Sequence, residues 1–191
     1  MPLDPAVIAE TLRLPAGVVA VNWSLITAAL DEQGVRSDLV EIAAAATIGV
    51  EVPHFEPICE MGGLTYLSRY DYNTVLGNTE PGDGARFKGR GFVQLTGRSN
   101  YAAAGQALGL FLLDSPELAL EPTTAARILA WFFRTHQVAD AAEARDWRRV
   151  RQLVNGGQNG WDHFSALVEA LCASTQTTPM TTTPMAGGGR G

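Results

Sequence analysis

Glu51 and Glu60 stand nine residues apart, with Pro53 and Pro57 between them. Two carboxylates facing each other across a cleft are sufficient to hydrolyse a glycosidic bond: one donates a proton to the leaving oxygen, and the other activates water or stabilises the cation. Glu51 closes a run in which Leu39, Ile42, Ala43, Ala46, Thr47 and Val50 recur at three- and four-residue spacing, which predicts a helix over 37–51 with Ser37 as its N-cap. Pro53 forces that helix to end by Val52. Glu51 then lies at the negative end of the helix dipole between Val50 and Val52, a setting that suits a proton-donating acid. Glu60, beside Met61-Gly62-Gly63, falls on an irregular and better solvated segment, which suits an ionised base. An inverting reaction needs room for a water, a separation of roughly 6.5 to 9.5 Å between the carboxyl groups, whereas roughly 5 Å implies retention. Spacing alone is a weak signal for this chemistry.

The surrounding elements must hold that pair. Asp4-Pro5 opens a short helix through Leu12, and a second helix is expected over 23–33 before Gly34. Pro53 and Pro57 exclude regular helix over 52–60, so Glu56 and Glu60 share a loop facing the end of the 37–51 helix. Tyr66, Tyr70, Tyr72, Thr74 and Val75 predict weak strands over 65–76, and Gly77-Asn78 with Pro81-Gly82-Asp83-Gly84 is turn chemistry, together a small β-hairpin lobe. Ser99 or Asn100 can cap a helix to about residue 108, and Ser115-Pro116-Glu117 opens a further turn of helix. Pro122 begins a helix of about four turns, apolar on nearly every side, which is the expected central pillar. Asp146 caps another helix, stopped by Asn155-Gly156-Gly157, and the last covers 161–172.

The 191 residues, 46% hydrophobic and 18% charged, suffice for one compact domain over 1–173. The tail over 174–191 is threonine, proline and glycine, cannot build a core and reads as a flexible linker dispensable for folding. The formal net charge of -6 argues against nucleic acid as the main partner. Yet Arg86, Lys88, Arg90 and Arg98 fall in a stretch without acids, a local basic surface suited to an anionic polymer. The first residues carry no basic cluster and no apolar run reaches membrane-spanning length, so neither export nor membrane insertion is expected. Cys59 and Cys172, far apart and without metal-type spacing, read as two unpaired thiols ahead of a disulfide, and neither a metal nor an organic cofactor is expected. Glu56, Glu80 and His54 read as solvated loop side chains, and Trp23, Trp131, Trp147 and Trp161 as core. Gln94, between Val93 and Leu95, is open to two readings, an inward residue satisfying backbone groups or a site residue.

Four blocks carry a resemblance: Thr47-Ile-Gly-Val-Glu51; Leu76-Gly-Asn-Thr-Glu-Pro-Gly-Asp-Gly84; Phe87-Lys-Gly-Arg-Gly-Phe-Val-Gln-Leu-Thr-Gly-Arg-Ser-Asn-Tyr101; and Leu153-Val-Asn-Gly-Gly-Gln-Asn-Gly160. Together they resemble the family 19 chitinase-like glycoside hydrolases, in particular the phage endolysins that cut peptidoglycan. The resemblance covers roughly residues 22–171 and implies an all-α, lysozyme-like fold of two lobes around a cleft. By it, Glu51 matches the general acid and Glu60 the second carboxylate. Gln94, Thr96 and Asn100 match residues that bind sugar and position water, Arg90 is expected to contact substrate, and Asn155 matches the asparagine of Asn-Gly-Gly. Where relatives read Glu-Thr-Gly-Gly-Phe, this chain reads Glu51-Val-Pro-His-Phe55, and no match is evident for the arginine that plant members place near the C-terminus. The expected activity is a monomeric muramidase acting on peptidoglycan, made in a host cytoplasm and acting on the bacterial wall. An endochitinase acting on chitin-like polysaccharide and a decayed wall-binding module are the alternatives.

Overall fold

A computed structural model describes residues 2–176. Asp4 accepts from the Ala6 N–H and opens α1 (Pro5–Leu12). Next, α2 (Ala16–Glu32) starts seven residues earlier than expected, because Pro15 fixes its first turn and the buried stripe Val19, Asn22, Trp23 and Ile26 extends back past Trp23. Ser37 accepts from the Val40 N–H at the start of α3 (Asp38–Glu51), and Asp38 and Glu41 meet the positive end of its dipole. Every residue of α3 from Val40 to Ile48 is buried. The chain then forms β1 (Ile58–Cys59), α4 (Leu64–Leu67), a 3-10 turn over Ser68–Tyr70, α5 (Asp83–Arg86) and β2 (Arg90–Gly91). It continues through α6 (Arg98–Leu108), a 3-10 turn over Pro116–Leu120, α7 (Pro122–Thr135), α8 (Val138–Glu143), α9 (Trp147–Asn155) and α10 (Trp161–Gln176). The last helix runs four residues past Cys172, so the expected tail lies, from residue 177 on, outside the described residues.

The all-α architecture with a small β element is therefore what the chain adopts, and α7 is its buried pillar, packed along α2 and touching α6 and α8. On the other side, α3 is wedged between α10 and α8, while α1 bridges α2 and α10. The β element is not where the sequence placed it. Residues 65–76 form α4, the 3-10 turn and further turns, and the only described strands pair Ile58 with Gly91 and Cys59 with Arg90, antiparallel. Local contacts override the strand-favouring composition: Tyr66 and Tyr70 touch at helical i, i+4 spacing, which an extended chain would separate. Asp71 meanwhile accepts from the Gly82 and Gly84 N–H groups, closing the segment on itself.

Phe55 ties the loop between the two carboxylates to this frame. It is fully buried against Trp23 although its backbone is left-handed, with φ 58°. Burying a phenylalanine is worth about 1.5 to 3 kcal/mol, enough to offset a left-handed residue's cost of order 1 to 3 kcal/mol. The second lobe is tied to the helices by a polar knot. Buried Asp83 accepts from Arg98 at 2.5 and 2.9 Å and from the Thr79 and Glu80 N–H groups, and buried Asn78 bridges the Tyr70 carbonyl and the Arg98 N–H. The Arg98 hydrogen bonds, opposed by burial and helped by the two backbone donors, lower the Asp83 carboxyl to about 2. A depressed carboxylate stabilises the fold fully above its unfolded value near 3.8 and ceases to do so as pH falls towards 2. Asp83→Asn should accordingly cost about 2 kcal/mol at pH 7. Urea midpoints taken at pH 7 and near pH 2.5 check this: the gap to wild type should narrow by more than half in acid, and a gap independent of pH would contradict the linkage.

Candidate active site

Glu51 occupies the last turn of α3, where the sequence placed it, but its surroundings differ from the expected apolar ones. Arg151 of α9, with a side chain 3% exposed, donates from Nη1 to Glu51 Oε1 at 2.5 Å. Asn155, one turn further along the same helix, donates from Nδ2 to that oxygen at 3.4 Å. The proton-holding pocket inferred from Val50 and Val52 is thus replaced by an ion pair, and Glu51 Oε2 is the oxygen without a hydrogen bond among the described residues. Arg151 is itself held by its Nε donating to the Asn159 carbonyl at 2.7 Å, and Gly160, with φ 72°, leaves the space beside it open. Sequence reasoning missed Arg151. The available signal was a charged residue inside the stripe Trp147, Val150, Arg151, Val154, at i−4 from Asn155.

Glu60 follows β1 and is held by the chain leading into β2. Its N–H donates to the Gly89 carbonyl at 2.7 Å, and its Oε2 accepts from the Gly89 N–H at 2.9 Å. Gly89 is the hub of this bank. A Cβ there would come within 2.8 Å of Gln94 Oε1, 3.2 Å of Thr96 Oγ1 and 3.3 Å of Glu60 Oε2, so three site residues converge on the space its missing side chain leaves. Gln94, with a left-handed φ of 51°, donates from Nε2 to the Ile58 and Gly91 carbonyls. The inward reading of Gln94 holds for its amide nitrogen, which satisfies backbone carbonyls, while its oxygen faces Gly89. Thr96 donates to the Gln94 carbonyl at 2.8 Å, and Asn100 donates to the Thr96 carbonyl at 2.7 Å, so Asn100 orients Thr96.

Arg90 requires a correction. Expected to contact substrate, it is 8% exposed and donates from Nη1 to the Arg86 and Lys88 carbonyls and to the Tyr101 hydroxyl. Tyr101 in turn donates to the Lys88 carbonyl, and burial above all pushes its phenol up to about 12, so it stays a proton donor. Together they set the Lys88-Gly89-Arg90 backbone that carries Glu60's partner. His54 and Glu56 are exposed, and Glu80 is exposed while pairing with Arg98. Both thiols are free and half-buried. Among the described residues no group of three or more His, Cys, Asp or Glu side chains is placed to hold a metal ion, and no helix is long and apolar enough to cross a membrane. A cavity of about 580 Å³ lined by Ser37, Glu143, Arg145 and Cys172 lies at the opposite end of α3 and contains neither carboxylate.

This arrangement gives a direct prediction. Gly89→Ala fills the space between Glu60, Gln94 and Thr96 without demanding a left-handed backbone, and displacing such groups by about 1 Å can cost 10²-fold in rate. Steady-state rates should fall accordingly while the melting temperature stays within a few degrees. A near wild-type rate would show that the space is not used.

Comparisons with known proteins bear on this geometry. Residues 65–146 match the glycoside hydrolase family 19 model, described as chitinase class I. The match takes in Gly89, Gln94, Thr96 and Asn100 but neither Glu51 nor Glu60. A Haemophilus influenzae glycosyl hydrolase family 19 domain-containing protein is 32% identical over 102 residues, covering 52% of this chain and 49% of that protein. The acidic 27 kDa endochitinase of Solanum lycopersicum is 47% identical over 94 residues, 39% of this chain and 38% of the endochitinase. This chain thus spans about half the length, or less, of these relatives. Chitinase C from Streptomyces griseus HUT6037 superimposes with a TM-score of 0.66 at 21% identity, covering 89% of this chain and 76% of that one, a likeness of fold.

Proposed function

We propose that this chain, which carries a glycoside hydrolase family 19 domain, hydrolyses the β-1,4 bonds of bacterial peptidoglycan as an endolysin-type muramidase. The observation that supports it is that two carboxylates are each held by a polar network of their own, Glu51 by Arg151 and Asn155, and Glu60 by Gly89 in a space shared with Gln94 and Thr96. In this reading Glu51 carries its proton on Oε2 while Oε1 stays on Arg151 and Asn155, and it gives that proton to the leaving oxygen as the C1–O bond breaks. A water activated by Glu60 attacks C1 from the opposite face, and its proton passes to Glu60, giving inversion. Thr96 and Gln94 orient that water. Solvent exchange then returns the proton to Glu51 and removes the one on Glu60. The enzyme acts as a monomer on the wall, made in a host cytoplasm.

The similarity to the endochitinase of Solanum lycopersicum favours a second reading, endochitinase. Digesting purified cell walls and chitin oligomers side by side separates the two. New reducing ends from walls, inverted when read by NMR, support the muramidase. Release from chitin alone replaces it with the chitinase. Wall pull-down without turnover of either polymer leaves a binding module.

A further inference from the structure

Directly after Glu60 the chain exposes apolar side chains in quick succession: Met61, Leu64, Tyr66, Tyr72 and Val75. Most surface apolar residues are loosely held, but Tyr66 is not. Its ring lies over Gly62, where a Cβ would come within 2.6 Å of Tyr66 Cδ1. It meets Tyr70 edge-on, with centroids 5.9 Å apart at 89° and hydroxyls 3.2 Å apart, and the Arg69 guanidinium sits 5.7 Å from its centroid. The ring is nonetheless 42% exposed. The Tyr70 phenol is pushed up to about 12, by the hydrogen bond to Tyr66 first, burial next and the charge of Glu60 third.

A fixed, exposed aromatic ring loses little conformational freedom when something packs on it, and a clustered apolar surface marks an interaction site. Gly62 is two residues from Glu60, so a polymer held at Glu60 runs within a few ångströms of the chain that carries this ring. A pyranose ring matches the chemistry: its C–H face suits the apolar body of Tyr66, and its hydroxyl and acetamido groups suit the phenol. We propose that Tyr66, clamped by Gly62, Arg69 and Tyr70, is a platform for one sugar ring of the polymer on the Glu60 side of the scissile bond, with the Tyr66 and Tyr70 hydroxyls offering it hydrogen bonds. This rests on the reading of the chain as an amino-sugar polymer hydrolase.

The test measures calorimetric binding of N-acetylglucosamine hexamer, together with KM and kcat on cell walls and chitin oligomers. Tyr66→Ala should weaken hexamer binding and raise KM about tenfold while kcat stays within about threefold. Tyr66→Phe, which keeps the ring, should restore binding to within about threefold of wild type. Unchanged hexamer binding by Tyr66→Ala overturns the platform even if wild type is fully active. Equal losses in Tyr66→Ala and Tyr66→Phe, tracking a lowered melting temperature, overturn it in favour of a structural role. A wild type that turns over neither polymer but binds the hexamer through Tyr66 keeps the platform and removes the hydrolase reading. A wild type that binds no hexamer overturns the platform.

Discussion

Glu51→Gln is expected to lower wall hydrolysis by about 10³-fold or more, the scale of a positioned acid in a reaction whose leaving oxygen needs its proton. The substitution is nearly isosteric, and the glutamine oxygen can still accept from Arg151 and Asn155, so wall binding should remain close to wild type, while loss of the charge opposite buried Arg151 lowers the melting temperature without unfolding the protein. That pairing of outcomes is what distinguishes a lost proton donor from a damaged fold. Turbidity loss of purified walls measures the rate, and pull-down with the same walls measures binding. Near wild-type hydrolysis by this variant would remove Glu51 from the role.

Arg151→Leu should damage both stability and rate. Removing one partner of a buried ion pair costs on the order of 3 to 5 kcal/mol, and the lower end applies here because the Glu51 side chain is 21% exposed and regains some water. The rate should fall about 10²-fold, through kcat more than KM, because Glu51 loses the contact that aims it. Arg151 is a positioning residue in this account, acting through Glu51. Arg151→Lys keeps a cation but cannot hold Glu51 and the Asn159 carbonyl with one rigid fork, so it should recover most of the stability and only part of kcat. Equal recovery of both would reduce Arg151 to charge balance alone.

Local signals were legible in the sequence. Ser37 as N-cap, the end of α3 at Glu51 before Pro53, and the start of α7 at Pro122 each depend on a few neighbouring residues. The positions of Glu51 and Glu60 followed from the same arithmetic. What escaped the sequence was contact across distance. Arg151 lies a hundred positions from Glu51 and is recognisable as its partner only once α9 is folded beside α3. Arg90 looked like a surface cation within a glycine-rich turn, but β1 and Tyr101 enclose it. The Tyr- and Thr-rich run over 65–76 has strand composition, yet Asp71 and Asn78 fold it onto its own backbone before any strand can pair.

The buried alanines Ala43 to Ala46 bear on how such an enzyme could diversify. A helix with four consecutive small residues enclosed on all sides has no slack: each added methylene would overpack its neighbours at about 1 to 3 kcal/mol. Glu51 therefore rides on a helix whose preceding turns take larger side chains only at a cost in stability. The exposed stretch beyond Glu60 has the opposite character, with Met61, Leu64, Tyr72 and Val75 open to replacement at little cost. In the proposed hydrolase reading, heritable change in which polymer is accepted has its cheapest route there, so a lineage could exchange one glycan for another while inheriting Glu51 unmoved.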